Sequence, residues 1–222
     1  MPGLFITFEG GEGSGKSTQS RLLAESLTEE GLPVVHTREP GGTPGAEQIR
    51  ELLVKGEAAR WDAVTEMLLH MAARRDHVQK MIRPLLEEGK IVICDRFIDS
   101  TIAYQGYGLG LGRDYIMMLT RLTIGSLSPD ITFLLDIDPH TGLKRANSRK
   151  DGNNRYENMD IAFHTRLREG FLTQATTQAG RYHLLDAKQP IETLQTVIRM
   201  IADGAIGRYL QNKSQNSKKL VD

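Results

Sequence analysis

The residues best equipped for chemistry lie near the N-terminus. Gly10-Gly11-Glu12-Gly13-Ser14-Gly15-Lys16-Ser17 meets every fixed position of G-x-x-x-x-G-K-[ST]. Glycines allow a backbone turn whose N–H groups converge on phosphate oxygens. A helix beginning at the end of the string adds its positive terminus. Lys16 then reaches the β and γ phosphates, Ser17 holds Mg²⁺ through its hydroxyl, and Thr18 completes the cradle. The plain alternative is a glycine-rich helix cap, but a chance match to the full string is on the order of one in a hundred. ATP and Mg²⁺ are therefore the expected cofactors, and phosphoryl transfer the expected chemistry.

Three further segments suit that chemistry. Ile91-Val92-Ile93-Cys94 is an apolar run ending in Asp95-Arg96. Asp95 at such a place orders a Mg²⁺ water or binds the acceptor end of a site, and Arg96 can grip a phosphate with two N–H groups. A surface ion pair at a strand end is the alternative. Arg38-Glu39-Pro40-Gly41-Gly42 is either a shaped loop at the same sheet edge or a simple turn. Residues 147–155, Asn-Ser-Arg-Lys-Asp-Gly-Asn-Asn-Arg, read as a mobile lid. Its Arg149 and Arg155 suit neutralisation of charge on a transferring phosphoryl group, although a solvated basic loop has the same composition.

These groups need a scaffold. Five apolar runs, Leu4–Phe8, Pro33–His36, Ile91–Cys94, Ile131–Leu135 and Tyr182–Leu185, have the length and weak alternation of parallel strands buried on both faces. Between them, Ser17–Glu30 sets Leu22, Leu23 and Leu27 on one side of a helix, and Glu66–Glu88 repeats Met67, Leu68, Met71, Val78 and Met81 before Pro84. Alternating strands and helices predict an α/β fold: a doubly wound sheet of five parallel strands flanked by helices, as in P-loop NTPases. One domain is expected over residues 1–210, with Gln211–Asp222 a disordered polar tail.

Composition narrows the partners. The 28 basic and 28 acidic residues cancel, so bulk charge gives no reason to expect nucleic acid. No apolar stretch approaches the roughly 18 residues that span a membrane, and no secretory signal is read at the start. The single cysteine, Cys94, suits a reducing compartment, so a cytoplasmic protein is expected. The nearest string to a guanine-binding Asn-Lys-x-Asp, Asn212-Lys213-Ser214-Gln215, lacks the aspartate and lies in the tail, which favours a small kinase over a GTPase.

Several strings together resemble the thymidylate kinase family. They are Phe8-Glu9-Gly10 leading into the glycine-rich loop, Thr37-Arg38-Glu39-Pro40-Gly41-Gly42-Thr43, Asp95-Arg96-Phe97, and Ser100-Thr101-Ile102-Ala103-Tyr104-Gln105-Gly106. The resemblance runs from about Phe5 to Leu210 and implies ATP-dependent phosphorylation of dTMP to dTDP by a homodimer. It implies that Arg96 and Arg50 hold the dTMP phosphate, with Asp95 near Mg²⁺. Arg74 reads the thymine O4, and Ser100, Thr101 and Gln105 lie around the N3 edge and ribose. Tyr104 crowds the ribose 2′ position, while Glu9 and Glu12 approach the acceptor. Arginine carries only donors, so it suits a carbonyl and mismatches a cytosine amino group. The family places its catalytic arginine either in the glycine-rich loop or in the lid. Gly13 at the loop position, with Arg149 and Arg155 in the lid, resembles the bacterial lid-arginine kind. A cis peptide is expected between Glu39 and Pro40. One departure stands out: His70 occupies the position where the family presents a phenylalanine to stack on thymine. Other nucleotide or nucleoside kinases, and a non-catalytic nucleotide switch, are the alternatives to dTMP phosphorylation.

Overall fold

The five apolar runs become β1 (Leu4–Glu9), β2 (Val34–Arg38), β3 (Ile91–Asp95), β4 (Ile131–Asp136) and β5 (Tyr182–Asp186). A computed structural model describes residues 3–57, 60–148 and 155–218. All pairings are parallel, in the order β2-β3-β1-β4-β5. The connections are α1 (Lys16–Glu29), α2 (Pro44–Val54), α3 (Ala63–His77), α4 (Arg83–Glu87), α5 (Ile98–Thr101), α6 (Arg113–Ile124), α7 (Pro139–Asn147), α8 (Ile161–Thr177) and α9 (Ile191–Lys218). Two π-helical segments, Val78–Ile82 and Ile102–Gly108, join α3 to α4 and extend α5.

Strand alternation sorts the core into layers. Leu4, Ile6 and Phe8, with Ile93 and Phe133, face α1 and α9 through Leu23, Leu27, Leu194 and Ile198. Phe5, Val92 and Cys94 face the opposite way, onto Met67, Met71, Val78, Ile82 and Ile116. A third cluster joins Leu134 to Tyr104, Phe163, Leu167 and Phe171, under α8.

Three departures from the sequence reading are local. In α1, Leu23 and Leu27 are fully buried, but Leu22 is only partly so, because Ala24 takes the inner position. The helical run around Glu66–Glu88 is interrupted by its π segment. The wider turn shifts the phase beyond it, so Ile82 is buried instead of Met81; upstream in α3, Leu68 is 49% exposed because Met67 and Met71 take the inner positions. At the C-terminus α9 continues to Lys218, so Gln211–Lys218 extends a helix where a disordered tail was expected.

Register delivers the chemistry to one edge. Phe8 and Arg38 both pair with Asp95, so β1, β2 and β3 end together. The strand order reverses about β1, and ligands of such sheets bind beyond the carboxyl ends at that point. Residues 10–15, 39–43 and 96–97 emerge there. The Glu39–Pro40 peptide is cis, as expected.

Candidate active site

The glycine-rich loop joins β1 to α1. Gly15, in the left-handed region, is the N-cap, and α1 begins at Lys16 with its first N–H groups facing the loop. Gly13 has φ +66, and a β-carbon there would lie 2.0 Å from the Gly142 carbonyl oxygen of α7. A β-carbon on Gly142 would in turn meet the Glu12 carbonyl at 2.4 Å. The loop and α7 thus touch backbone to backbone. Lys16 folds over the loop, donating to the Gly11 carbonyl at 2.7 Å and to Ser14 Oγ at 3.2 Å. Burial, reinforced by Arg96, pushes its ammonium down to about 8. Ser17 Oγ donates to Asp95 Oδ2, while Asp95 Oδ1 is buried with no protein partner. The Ser17 hydroxyl and the orphaned Asp95 oxygen are hard donors of the kind that would hold a Mg²⁺.

Arg96 commands the boundary between phosphate loop and acceptor cleft. Among the described residues it is the only non-glycine with positive φ, at 71°. Its N–H donates to the Phe8 carbonyl, which pins the turn to β1. The guanidinium reaches the Gly10 carbonyl and Ser100 Oγ, each at 3.1 Å, and Glu12 Oε1 at 3.1 Å. It also stacks 4.9 Å from the Tyr104 ring centre. Burial works against the charge, yet Tyr104, Glu12 and Asp95 raise its pKa above the ordinary arginine value. Glu12 is the reverse case: burial alone would raise it, but Arg96, Lys16 and the Tyr104 hydroxyl hold it at about 2. Deeper, Glu9 accepts from Ser100 Oγ at 2.6 Å and from the Phe97 N–H at 2.8 Å. Burial and the nearby Asp99 push its carboxyl up to about 8.

Two pockets meet here. One holds Lys16, Ser17, Asp95, Gly13 and Arg38; the other runs from Pro40 past Arg74, Phe97 and Thr101 to Tyr156. Glu12, Glu39, Arg50 and Arg96 line both. Arg50 is held by donating to the Pro40 carbonyl at 2.9 Å.

The far end of the second pocket is a polar wall on α3 and the Ile102–Gly108 segment. Arg74, 3% exposed, donates to Glu39 Oε2 at 2.6 Å, Thr101 Oγ1 at 2.9 Å and the Phe97 carbonyl at 3.0 Å. His77 braces the other Glu39 oxygen at 3.1 Å and bonds Thr37 at 2.8 Å. Gln105, 1% exposed, donates from Nε2 to Glu66 Oε1 at 2.7 Å. Its Oε1 is buried without a protein partner. His70 Nε2 lies 2.9 Å from the Tyr156 hydroxyl. Burial, with Arg74, Arg155 and Arg96 acting in the same direction, pushes this imidazole down to about 3.

The structure gathers most of the expected residues: Gly10–Ser17, Glu9, Arg50, His70, Arg74, Asp95, Arg96, Ser100, Thr101, Tyr104 and Gln105 line or support the joined pockets. Thr18 is in the first turn of α1 and lines the groove toward α9. Arg149 lies outside the described residues. Arg155 departs from expectation. It is fully buried, paired with Glu66 and donating to the Glu57 and Leu53 carbonyls at 3.1 and 3.3 Å. An arginine held this way anchors the end of the lid segment to α2 and α3 in this structure. Sequence reasoning missed Glu39, Glu66 and Tyr156. Glu39 sat within a recognised string, whereas Glu66 and Tyr156 meet only in three dimensions, 90 positions apart.

The chain is similar to known proteins along most of its length. A family model for thymidylate kinase matches residues 8–198. The chain is 50% identical over 192 residues to the thymidylate kinase of Ruegeria pomeroyi, covering 86% of this chain and 90% of that protein. It is 48% identical over 205 residues to that of Caulobacter vibrioides, covering 92% and 98%. The crystal structure of thymidylate kinase from Ehrlichia chaffeensis superposes with a TM-score of 0.76 at 41% identity, covering 91% of this chain and all of that one.

Proposed function

Because the chain belongs to the thymidylate kinase family and phosphorylates dTMP to dTDP with ATP, we propose that the γ-phosphoryl passes in line across the boundary shared by its two pockets. The observation that carries this reading is Arg96, lodged between the glycine-rich loop and the acceptor cleft and lining both. The donor phosphates would lie on residues 10–17, and Lys16 would exchange its loop partners for phosphate oxygens. Ser17 and Asp95 would hold Mg²⁺, which supplies neutralisation of charge on the bridging phosphates. Arg96 and Arg50 would hold the acceptor phosphate. That phosphate is already ionised at neutral pH, so positioning and charge neutralisation suffice. Arg149 is the arginine we assign to the lid.

On the base, Arg74 would donate to thymine O4, and the orphaned Gln105 Oε1 would accept from N3–H. His70 would cover the ring, with Ser100, Thr101 and Tyr104 shaping the ribose end and Glu9 and Glu12 supporting it. A homodimer is supported by an outward apolar face on α3 and α6, where Val64, Leu68, Tyr115, Met118 and Leu122 are 49%, 49%, 64%, 60% and 76% exposed. Among the described residues no helix is long and apolar enough to cross a membrane; we place the enzyme in the cytoplasm. ATP consumption measured with dTMP, dUMP, dCMP and AMP tests the assignment. Turnover should be fastest with dTMP, and equal rates with dCMP would overturn the base contacts.

A further inference from the structure

We propose that Glu66 sets the hydrogen-bond polarity of the acceptor-base pocket, orienting Gln105 directly and His70 through Tyr156. This rests on the reading of Gln105 as the partner of thymine N3–H. Glu66 projects from α3 and is fully buried. Its Oε1 accepts from Gln105 Nε2 at 2.7 Å and from the Tyr156 hydroxyl at 2.9 Å, and its Oε2 takes the Arg155 guanidinium. A carboxylate paired with a guanidinium offers acceptors alone. Gln105 must therefore turn its NH₂ to Glu66, which leaves its carbonyl facing the cleft, buried and without a protein partner. Leaving a buried acceptor unmet is unfavourable, so the site is built for a ligand N–H.

The same logic runs down the second branch. Tyr156 donates its only hydroxyl proton to Glu66, so its oxygen must receive a proton from His70 Nε2, 2.9 Å away. The neutral imidazole is thereby locked in its Nε2–H tautomer and in one ring orientation. With Arg74 presenting donors, the pocket reads donor then acceptor. Thymine O4 and N3–H complement that order, and the cytosine amino group and bare N3 oppose it. Glu66 is thus a positioning residue for base choice, and Arg155 ties it to the segment that carries the lid.

The test compares kcat and KM for dTMP and dCMP in Glu66→Gln and Gln105→Leu. A glutamine at 66 can donate, which frees Gln105 to flip. The dTMP-over-dCMP ratio of kcat/KM should fall about tenfold or more, chiefly through a higher KM for dTMP. A merely structural role would impair both nucleotides alike and leave the ratio where it was. Should Glu66→Gln fail to fold, Glu66→Met with Arg155→Met replaces the buried pair by apolar side chains, and the same loss of ratio is expected. Gln105→Leu separates the layers of the argument. An unaltered dTMP KM in that variant overturns the Gln105 contact and the proposal with it. A raised KM there, alongside an unaltered ratio in the folded Glu66 variant, overturns the proposal alone.

Discussion

Lys16 concentrates the phosphate chemistry in one ammonium, and its surroundings make two predictions. Its hydrogen-bond partners are a loop carbonyl and a loop hydroxyl, although the residue itself is only 6% exposed. Lys16→Ala should therefore cut kcat by about a hundredfold to a thousandfold, with thermal unfolding close to wild type; retained turnover would refute its role. Because burial depresses the free lysine to about 8 and phosphate would restore it, ATP affinity should weaken as pH rises above about 8. Calorimetric titrations from pH 7 to 9 check this, and a Lys16→Met variant should lack the slope. His70 sits at the opposite extreme. Held neutral down to about 3, it should leave the dTMP KM free of its titration across the usual assay range. His70→Ala should raise that KM by roughly fivefold, the equivalent of about 1 kcal/mol of stacking, and His70→Phe should hold it. The unfolded chain protonates this histidine near pH 6.5 and the folded chain does so only near 3. Stability should consequently drain as pH falls through that window, and less so in His70→Phe.

At the scale of elements, the lid segment divides into an anchor and a working part. Arg155→Ala leaves Glu66 buried without its cation, a change that typically costs about 3–5 kcal/mol, so a drop in Tm on the order of 10 °C is expected. Arg149→Ala should instead spare Tm and lower kcat by about a thousandfold. Calorimetry and steady-state rates on the two variants distinguish these outcomes. The contrast also marks what a sequence can disclose. The central strands β1, β3 and β4 announced themselves because burial on both faces demands unbroken apolar runs, while the edge strands β2 and β5 prove only partly buried; the phosphate loop did so because its backbone tolerates few residues. The place of Arg155 was hidden: it is one cation in a polar stretch, and its pairing with the Glu66 carboxylate on α3 shows only in three dimensions. The π segment at Val78–Ile82 was equally silent, since one inserted residue moves Ile82 inward in place of Met81 without altering composition.

For the whole molecule, the outward apolar residues of α3 and α6 predict association. Light scattering should give twice the protomer mass, and Leu122→Glu, at a 76% exposed position, should shift it toward the monomer without lowering Tm much. A wild-type monomer would refute the assignment of that face. The contact of Gly13 with Gly142 has a different reach, into how this chain can change over generations. An arginine at position 13, the family's other placement, has no room while α7 rests on the loop, and Gly142 has none to yield while Glu12 stands behind it. The two placements are thus separated by a valley of coupled substitutions. Gly13→Arg alone should produce a broken loop, with a fall in both Tm and turnover. A side chain at position 13 therefore requires α7 to be withdrawn from the loop as well.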